Sequence, residues 1–108
     1  MSQDLRIATF NLESLDDTGE PPFAERTAVL RPQLERLQAD ILCLQEVNAQ
    51  RETKGEPRTL RALDRLLEGS AYADFHRTTG GEGHKLADRH NLVLLSRWPI
   101  TAARPYRH

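Results

Sequence analysis

Three polar side chains stand where an α/β chain presents chemistry. Glu46 closes the apolar run Ile41-Leu42-Cys43-Leu44, with Gln45 between, and Asn11 and Glu13 follow the segment Leu5-Arg6-Ile7-Ala8-Thr9-Phe10. A short unbroken apolar run reads as a strand covered on both faces, and open α/β sheets bind ligands outside the carboxyl ends of their strands. A carboxylate there suits a hard divalent cation, Mg²⁺ above all or Mn²⁺ in its place. Such an ion takes oxygen ligands and needs only one or two protein carboxylates, leaving room for water and phosphate. An asparagine beside it offers an acceptor and two donors, so Asn11 can hold a phosphate oxygen or a metal-bound water. Glu13 adds a second carboxylate to the same edge. Each has a plainer alternative: a pairing or capping role for Glu46, a turn for Asn11, a solvated loop acid for Glu13.

The elements that must position them can be read along the chain. Residues 5–11 are predicted as a strand, 12–22 as an acidic, turn-rich loop, and 23–38 as a helix with Leu30, Leu34 and Leu37 on its apolar stripe. Pro32 lacks an N–H and clashes with the preceding turn, so a kink or a fresh helix start is expected there. Residues 41–46 return as the second strand. Strand, helix and strand at this spacing make a βαβ unit with parallel strands. Neighbouring strands lie about 4.8 Å apart, close enough for Asn11 and Glu46 to meet one small ligand. Beyond it come a polar surface loop at 48–57 and a second helix at 58–68, striped by Leu60, Leu63, Leu66 and Leu67, with Gly69 as its C-cap. A short strand at 71–78, a glycine-rich stretch at 79–84, a further apolar strand at 91–96 and a Trp98-Pro99-Ile100 turn complete the pattern.

The 108 residues are enough for one domain, and 38% hydrophobic with 29% charged residues excludes a disordered chain. A formal net charge of -1 provides no basic field to bind nucleic acid unaided. Thirteen of the 15 basic residues are arginine, which suits bidentate phosphate contacts but equally reflects composition bias. Cys43 is the single cysteine, so no intrachain disulfide forms, and a buried free thiol fits a reducing compartment. The first residues do not read as a secretory leader and no apolar stretch is long enough to span a membrane; a cytoplasmic location is the expectation.

Residues 5–12 (Leu-Arg-Ile-Ala-Thr-Phe-Asn-Leu), 39–47 (Ala-Asp-Ile-Leu-Cys-Leu-Gln-Glu-Val) and 91–100 (Asn-Leu-Val-Leu-Leu-Ser-Arg-Trp-Pro-Ile) occur in this order. Together they resemble the opening of the endonuclease/exonuclease/phosphatase superfamily. The resemblance implies a four-layer αββα sandwich, of which this chain would be the N-terminal part, beginning with the βαβ unit. It also implies metal-dependent hydrolysis of phosphodiesters or phosphomonoesters, with substrates ranging from nucleic acids to inositol phosphates and sphingomyelin. On that resemblance Glu46 is the metal ligand, Asn11 a metal or phosphate partner, and Glu13 an accessory acid near the metal.

The later motifs of that superfamily, an Asp-x-Asn segment and a closing Asp-His pair, have no counterpart here; Asp88-Arg89-His90 is the nearest sequence and does not match. Residues 1–108 are therefore expected to be the N-terminal portion of one such domain, with the C-terminal part absent. Little or no catalysis is expected from the isolated chain, and self-association through an exposed sheet. The alternatives are a non-catalytic binding module that retains the fold and an unrelated doubly wound nucleotide-binding domain. The second would want a glycine-rich turn after the first strand, where Asn11-Leu12-Glu13-Ser14 stands. His76, His84, His90 and His108 show no metal-ligand spacing; His84 and His90 flank the glycine-rich stretch, where a phosphate contact is the alternative, but all four are expected to be structural or surface residues. Arg89 and Arg97 are expected in surface ion pairs, with a bidentate grip on phosphate as the alternative, and Trp98 and Tyr106 in packing. Asn91, at the start of its strand and remote from that strand's carboxyl end, is expected to be structural or at most at the substrate edge. Gly80, Gly81 and Gly83 lack the Lys-Ser/Thr pair of a phosphate loop.

Overall fold

The computed structural model of the protein describes residues 4–79 and 86–101. Four strands, β1 (Ile7–Leu15), β2 (Ile41–Val47), β3 (His76–Thr78) and β4 (Asn91–Ser96), form one sheet in the order β1-β2-β4-β3. β1 and β2 are parallel neighbours joined through helix α1 (Phe23–Leu37), as the βαβ reading requires. β4 runs antiparallel to both β2 and β3. Helix α2 (Arg61–Leu67) and a 3-10 helix at Ala71–Asp74 lie between β2 and β3 in the chain.

One face of the sheet carries the core. Leu12 and Leu15 of β1, Leu42, Leu44 and Val47 of β2, and Val93 and Leu95 of β4 are buried in one cluster with Leu34 of α1 and Ala62, Leu63, Leu66 and Leu67 of α2. Each such leucine contributes about 1.5–3 kcal/mol relative to exposure. The alternate strand positions point the other way. Ile7 is 61% exposed and Leu92 67%. The expectation that 41–47 is covered on both faces is thus corrected: helices cover one face, and Cys43 on the other is only half-buried.

Several boundaries also differ from the sequence reading. β1 continues four residues past Asn11, through what reads as the start of a loop, because Leu12 and Leu15 both reach the core. α1 runs through Pro32 as a single helix; Pro32 and Ala28 are both exposed, so water can serve the carbonyl that proline leaves without a donor. The start of the predicted surface loop is buried instead. Asn48, Ala49 and Gln50 are covered, and Gln50 exchanges both backbone hydrogen bonds with Thr59. With Thr59 held in that bridge, α2 starts only at Arg61, and Gln50 Oε1 accepts from the Ala62 N–H at 2.8 Å. Residues 71–78 divide into the 3-10 helix and β3. The glycine-rich segment from residue 80 onward, with His84, and the terminal residues with Tyr106 and His108 lie outside the described residues.

Tyr72 locks the helical layer. Its hydroxyl donates to Leu34 O at 2.7 Å and accepts from Ala39 N at 3.1 Å. The Gln38 N–H turns back to Glu35 O instead, so Tyr72 serves a helix-end carbonyl that would otherwise be orphaned inside the protein. Among the described residues no helix is long and apolar enough to cross a membrane.

Candidate metal and phosphate site

The site lies at the carboxyl ends of β1 and β2, and two bulges build it. Along β2, Leu42 and Leu44 face the core, so strict alternation would send Glu46 inward too. Glu46 instead adopts φ 58, which reverses the alternation: Val47 enters the core and Glu46 emerges on the side of Asn11. Along β1, Glu13 and Ser14 have φ 50 and 56. The β1–β2 register passes from Asn11↔Gln45 to Leu15↔Val47, so three residues intervene in β1 against one in β2. Left-handed non-glycine residues are costly, and their clustering at one sheet edge marks a place where structure is held for a purpose.

Arg26 from α1 holds the first bulge. Its guanidinium donates to Leu12 O at 2.5 Å, Glu13 O at 3.1 Å and Ser14 O at 3.3 Å, and has no carboxylate partner among the described residues. A planar fork of five donors suits three carbonyls that a bulge leaves without strand partners.

The structure brings Asn11 and Glu46 together. Asn11 Nδ2 donates to Glu46 Oε2 at 2.5 Å, and Asn11 Oδ1 accepts from the Glu13 N–H at 2.7 Å. These partners orient the amide and leave one of its N–H groups and one acceptor lone pair uncommitted. The other Glu46 oxygen, Oε1, lies 3.3 Å from Ser14 Oγ and 3.6 Å from His90 Nε2; Ser14 Oγ and His90 Nε2 are 2.9 Å apart. Glu13 enters through its backbone. Its carboxylate makes no hydrogen bond or ion pair among the described residues, and the residue lines a groove of about 260 Å³ with Phe10, Arg26, Val29 and Gln33.

His90 and Ser14 are the residues that sequence reasoning missed. Asn91 has the structural role expected of it, at the edge of the site. β4 is antiparallel to β2, so its first residue lies opposite Val47, beside the site. Asn91 Nδ2 donates to Val47 O and Ala87 O, its Oδ1 accepts from Ala87 N, and Asn48 Oδ1 accepts from the His90 N–H at 3.0 Å. Buried amides thus fix the backbone that presents the imidazole. Nothing in the spacing of the histidines signals this. The one available hint is an apolar strand preceded by His-Asn.

The electrostatic frame beside the site centres on Asp17. Its side chain is 4% exposed and pairs with Arg61 at 2.6 Å. The Arg61 hydrogen bond holds the Asp17 carboxyl below its ordinary value against the opposing cost of burial, and Asp17 in turn raises Arg61. Asp16 accepts from Asn48 and Gln50 side chains, tying β1 to the segment after β2. At the opposite end of the sheet, a larger cleft of about 510 Å³ is lined by Arg6, Asp40, Tyr72, Phe75 and Arg97. There Asp40 accepts from the Arg6 N–H and the Arg97 side chain, which lower its pKa with the backbone donor foremost.

The donors at the upper edge fit a small divalent cation. A half-exposed carboxylate, a hydroxyl and an oriented amide converge there with solvent access for water ligands. Among the described residues no three His, Cys, Asp or Glu side chains gather to enclose an ion, so any cation would keep open positions. No curated protein and no solved structure shows a significant match to the chain. A family model does match, over residues 8–107, spanning β1, the βαβ unit and β4. The chain belongs to the endonuclease/exonuclease/phosphatase family.

Proposed function

We propose that this chain carries the first half of a divalent-metal site for phosphoester hydrolysis, with Glu46 as the metal ligand. The observation that carries the reading is the Asn11–Glu46 hydrogen bond at the carboxyl ends of two parallel strands. A bound Mg²⁺ or Mn²⁺ would supply Lewis-acid polarisation of a phosphoryl oxygen. Glu46 holds its carboxylate towards solvent, and Asn11 orients it through Oε2 while its second N–H is free for a phosphate oxygen or a metal-bound water. Glu13 is the accessory acid, acting through water from the neighbouring groove. The substrate is a phosphate ester, nucleic acid among the classes open to it.

Residues 1–108 are, on this reading, the N-terminal portion of one four-layer domain. The support is the uncovered face of the sheet, with Ile7 and Leu92 exposed, and the lack of Asp-x-Asn and Asp-His sequences to furnish a general base. The isolated chain then binds metal without efficient turnover and self-associates through that face. The test is isothermal titration of the chain with Mn²⁺, paired with an assay of bis-p-nitrophenyl phosphate hydrolysis. Saturable binding lost in Glu46→Ala, with little hydrolysis, is the expected result. Binding unchanged in Glu46→Ala would refute the ligand assignment, and robust turnover lost in that variant would refute the claim of an incomplete site. The competing reading, a binding module that keeps only the fold, is favoured if no metal binds at all.

A further inference from the structure

We propose that Glu46 Oε1, Ser14 Oγ and His90 Nε2 form one face of the cation site, and that the imidazole tunes it towards borderline divalent transition ions. The proposal rests on the reading of Glu46 as a metal ligand and adds a nitrogen donor to it. The three atoms make a triangle with edges of 2.9, 3.3 and 3.6 Å. With metal–ligand bonds of about 2.1 Å, a point equidistant from all three lies about 0.9 Å off their plane, so one ion can contact them together. These separations fit ligands sharing an ion, and Ser14 Oγ lies within hydrogen-bond distance of both Glu46 Oε1 and His90 Nε2.

The imidazole is presented from a backbone held for it. His90 adopts φ 60, and its N–H is fixed by the buried Asn48 side chain. A non-glycine residue in that conformation is uncommon. The ring is 53% exposed, and Ser14 and Glu46 are its only polar side-chain partners among the described residues. The cluster is not a serine–histidine–acid triad. Glu46 and Ser14 approach the same ring nitrogen, so the carboxylate cannot orient the imidazole from the opposite one. What remains is a mixed oxygen and nitrogen donor set open to water. Oxygen donors alone suit Mg²⁺, and adding an imidazole favours ions such as Co²⁺ and Zn²⁺.

The test compares association constants for Zn²⁺, Co²⁺ and Mg²⁺ in the whole chain and in H90G and H90N, both of which tolerate the left-handed backbone. A fall of at least about tenfold in the Zn²⁺-to-Mg²⁺ ratio of association constants is expected in both variants. In the unmutated chain, side-chain ¹H–¹⁵N NMR should show the His90 Nε2 resonance shift on Zn²⁺ addition, a readout that needs no variant to fold. An unchanged ratio together with an unmoved His90 resonance, while Glu46→Ala still abolishes binding, overturns the role of His90 and leaves Glu46 as ligand. Binding that survives Glu46→Ala overturns both.

Discussion

Asn11 donates its side chain to the Glu46 carboxylate across strands whose backbone register opposes Asn11 to Gln45 instead. The contact exists because Glu46 takes a left-handed backbone and turns out of the core face. Removing Asn11 leaves the carboxylate held through Oε1 alone, where Ser14 and His90 approach it. Asn11→Ala is expected to weaken Mn²⁺ binding by about tenfold, the scale of a lost orienting partner, and calorimetric titration checks it. An affinity equal to that of the unmutated chain would show that the hydrogen bond does not serve the site.

Arg26 joins α1 to the bulge that carries Ser14. Loss of three charge-assisted hydrogen bonds in Arg26→Met is expected to cost about 2–3 kcal/mol in urea denaturation, allowing for water reaching the freed carbonyls. Arg26→Lys should recover little of this, because an ammonium group cannot reproduce the planar fork. Full recovery by lysine would mean that charge, not geometry, holds the bulge.

Tyr72 joins the end of α1 to the start of β2 through one hydroxyl. Tyr72→Phe leaves the Leu34 carbonyl and the Ala39 N–H unpaired in the interior, and a loss of about 1–3 kcal/mol is expected. Equilibrium denaturation of the two proteins measures it; identical midpoints and slopes would show that neither group is stranded.

Acid should unfold the protein partly through Asp17. Arg61 holds the Asp17 carboxyl below its unfolded value, so the folded state binds fewer protons there. That stability is fully present above the unfolded carboxylate range, about pH 4, and is lost as pH falls through the lower folded value. Asp40 acts in the same direction, chiefly through the Arg6 N–H. Melting temperatures taken from pH 7 to pH 2 should therefore fall less steeply on the acid side in Asp17→Asn. Superimposable acid limbs would remove Asp17 from the account.

The outer face of the sheet should govern association. Ile7 and Leu92 lie on it, more than half exposed, and an apolar patch of this kind promotes contact between molecules. Leu92→Lys is expected to shift sedimentation velocity profiles towards monomer, with Ile7→Lys acting alike. Profiles that do not respond to either change would place the association elsewhere.

The local pattern of the sequence determined the strand–helix–strand opening, the leucine stripes and the nearness of Asn11 and Glu46 at one edge, though not the left-handed turn at Glu46 that lets them touch. Those depend on residue periodicity and on the parallel crossover that a βαβ unit enforces. Only the tertiary structure decided which polar groups join them. His90 reaches Glu46 because β4 enters the sheet antiparallel to β2, and strand direction has no signature within the strand itself. Ser14 reaches it because Arg26, twelve residues away, stabilises a left-handed bulge in a stretch that reads as loop. Asn48, Gln50 and Asn91 look like surface residues in isolation and are buried because their side chains complete backbone hydrogen bonds made by other segments. Periodicity records which face a residue turns to the core, whereas hydrogen bonds between distant segments are defined only once the chain has closed on itself.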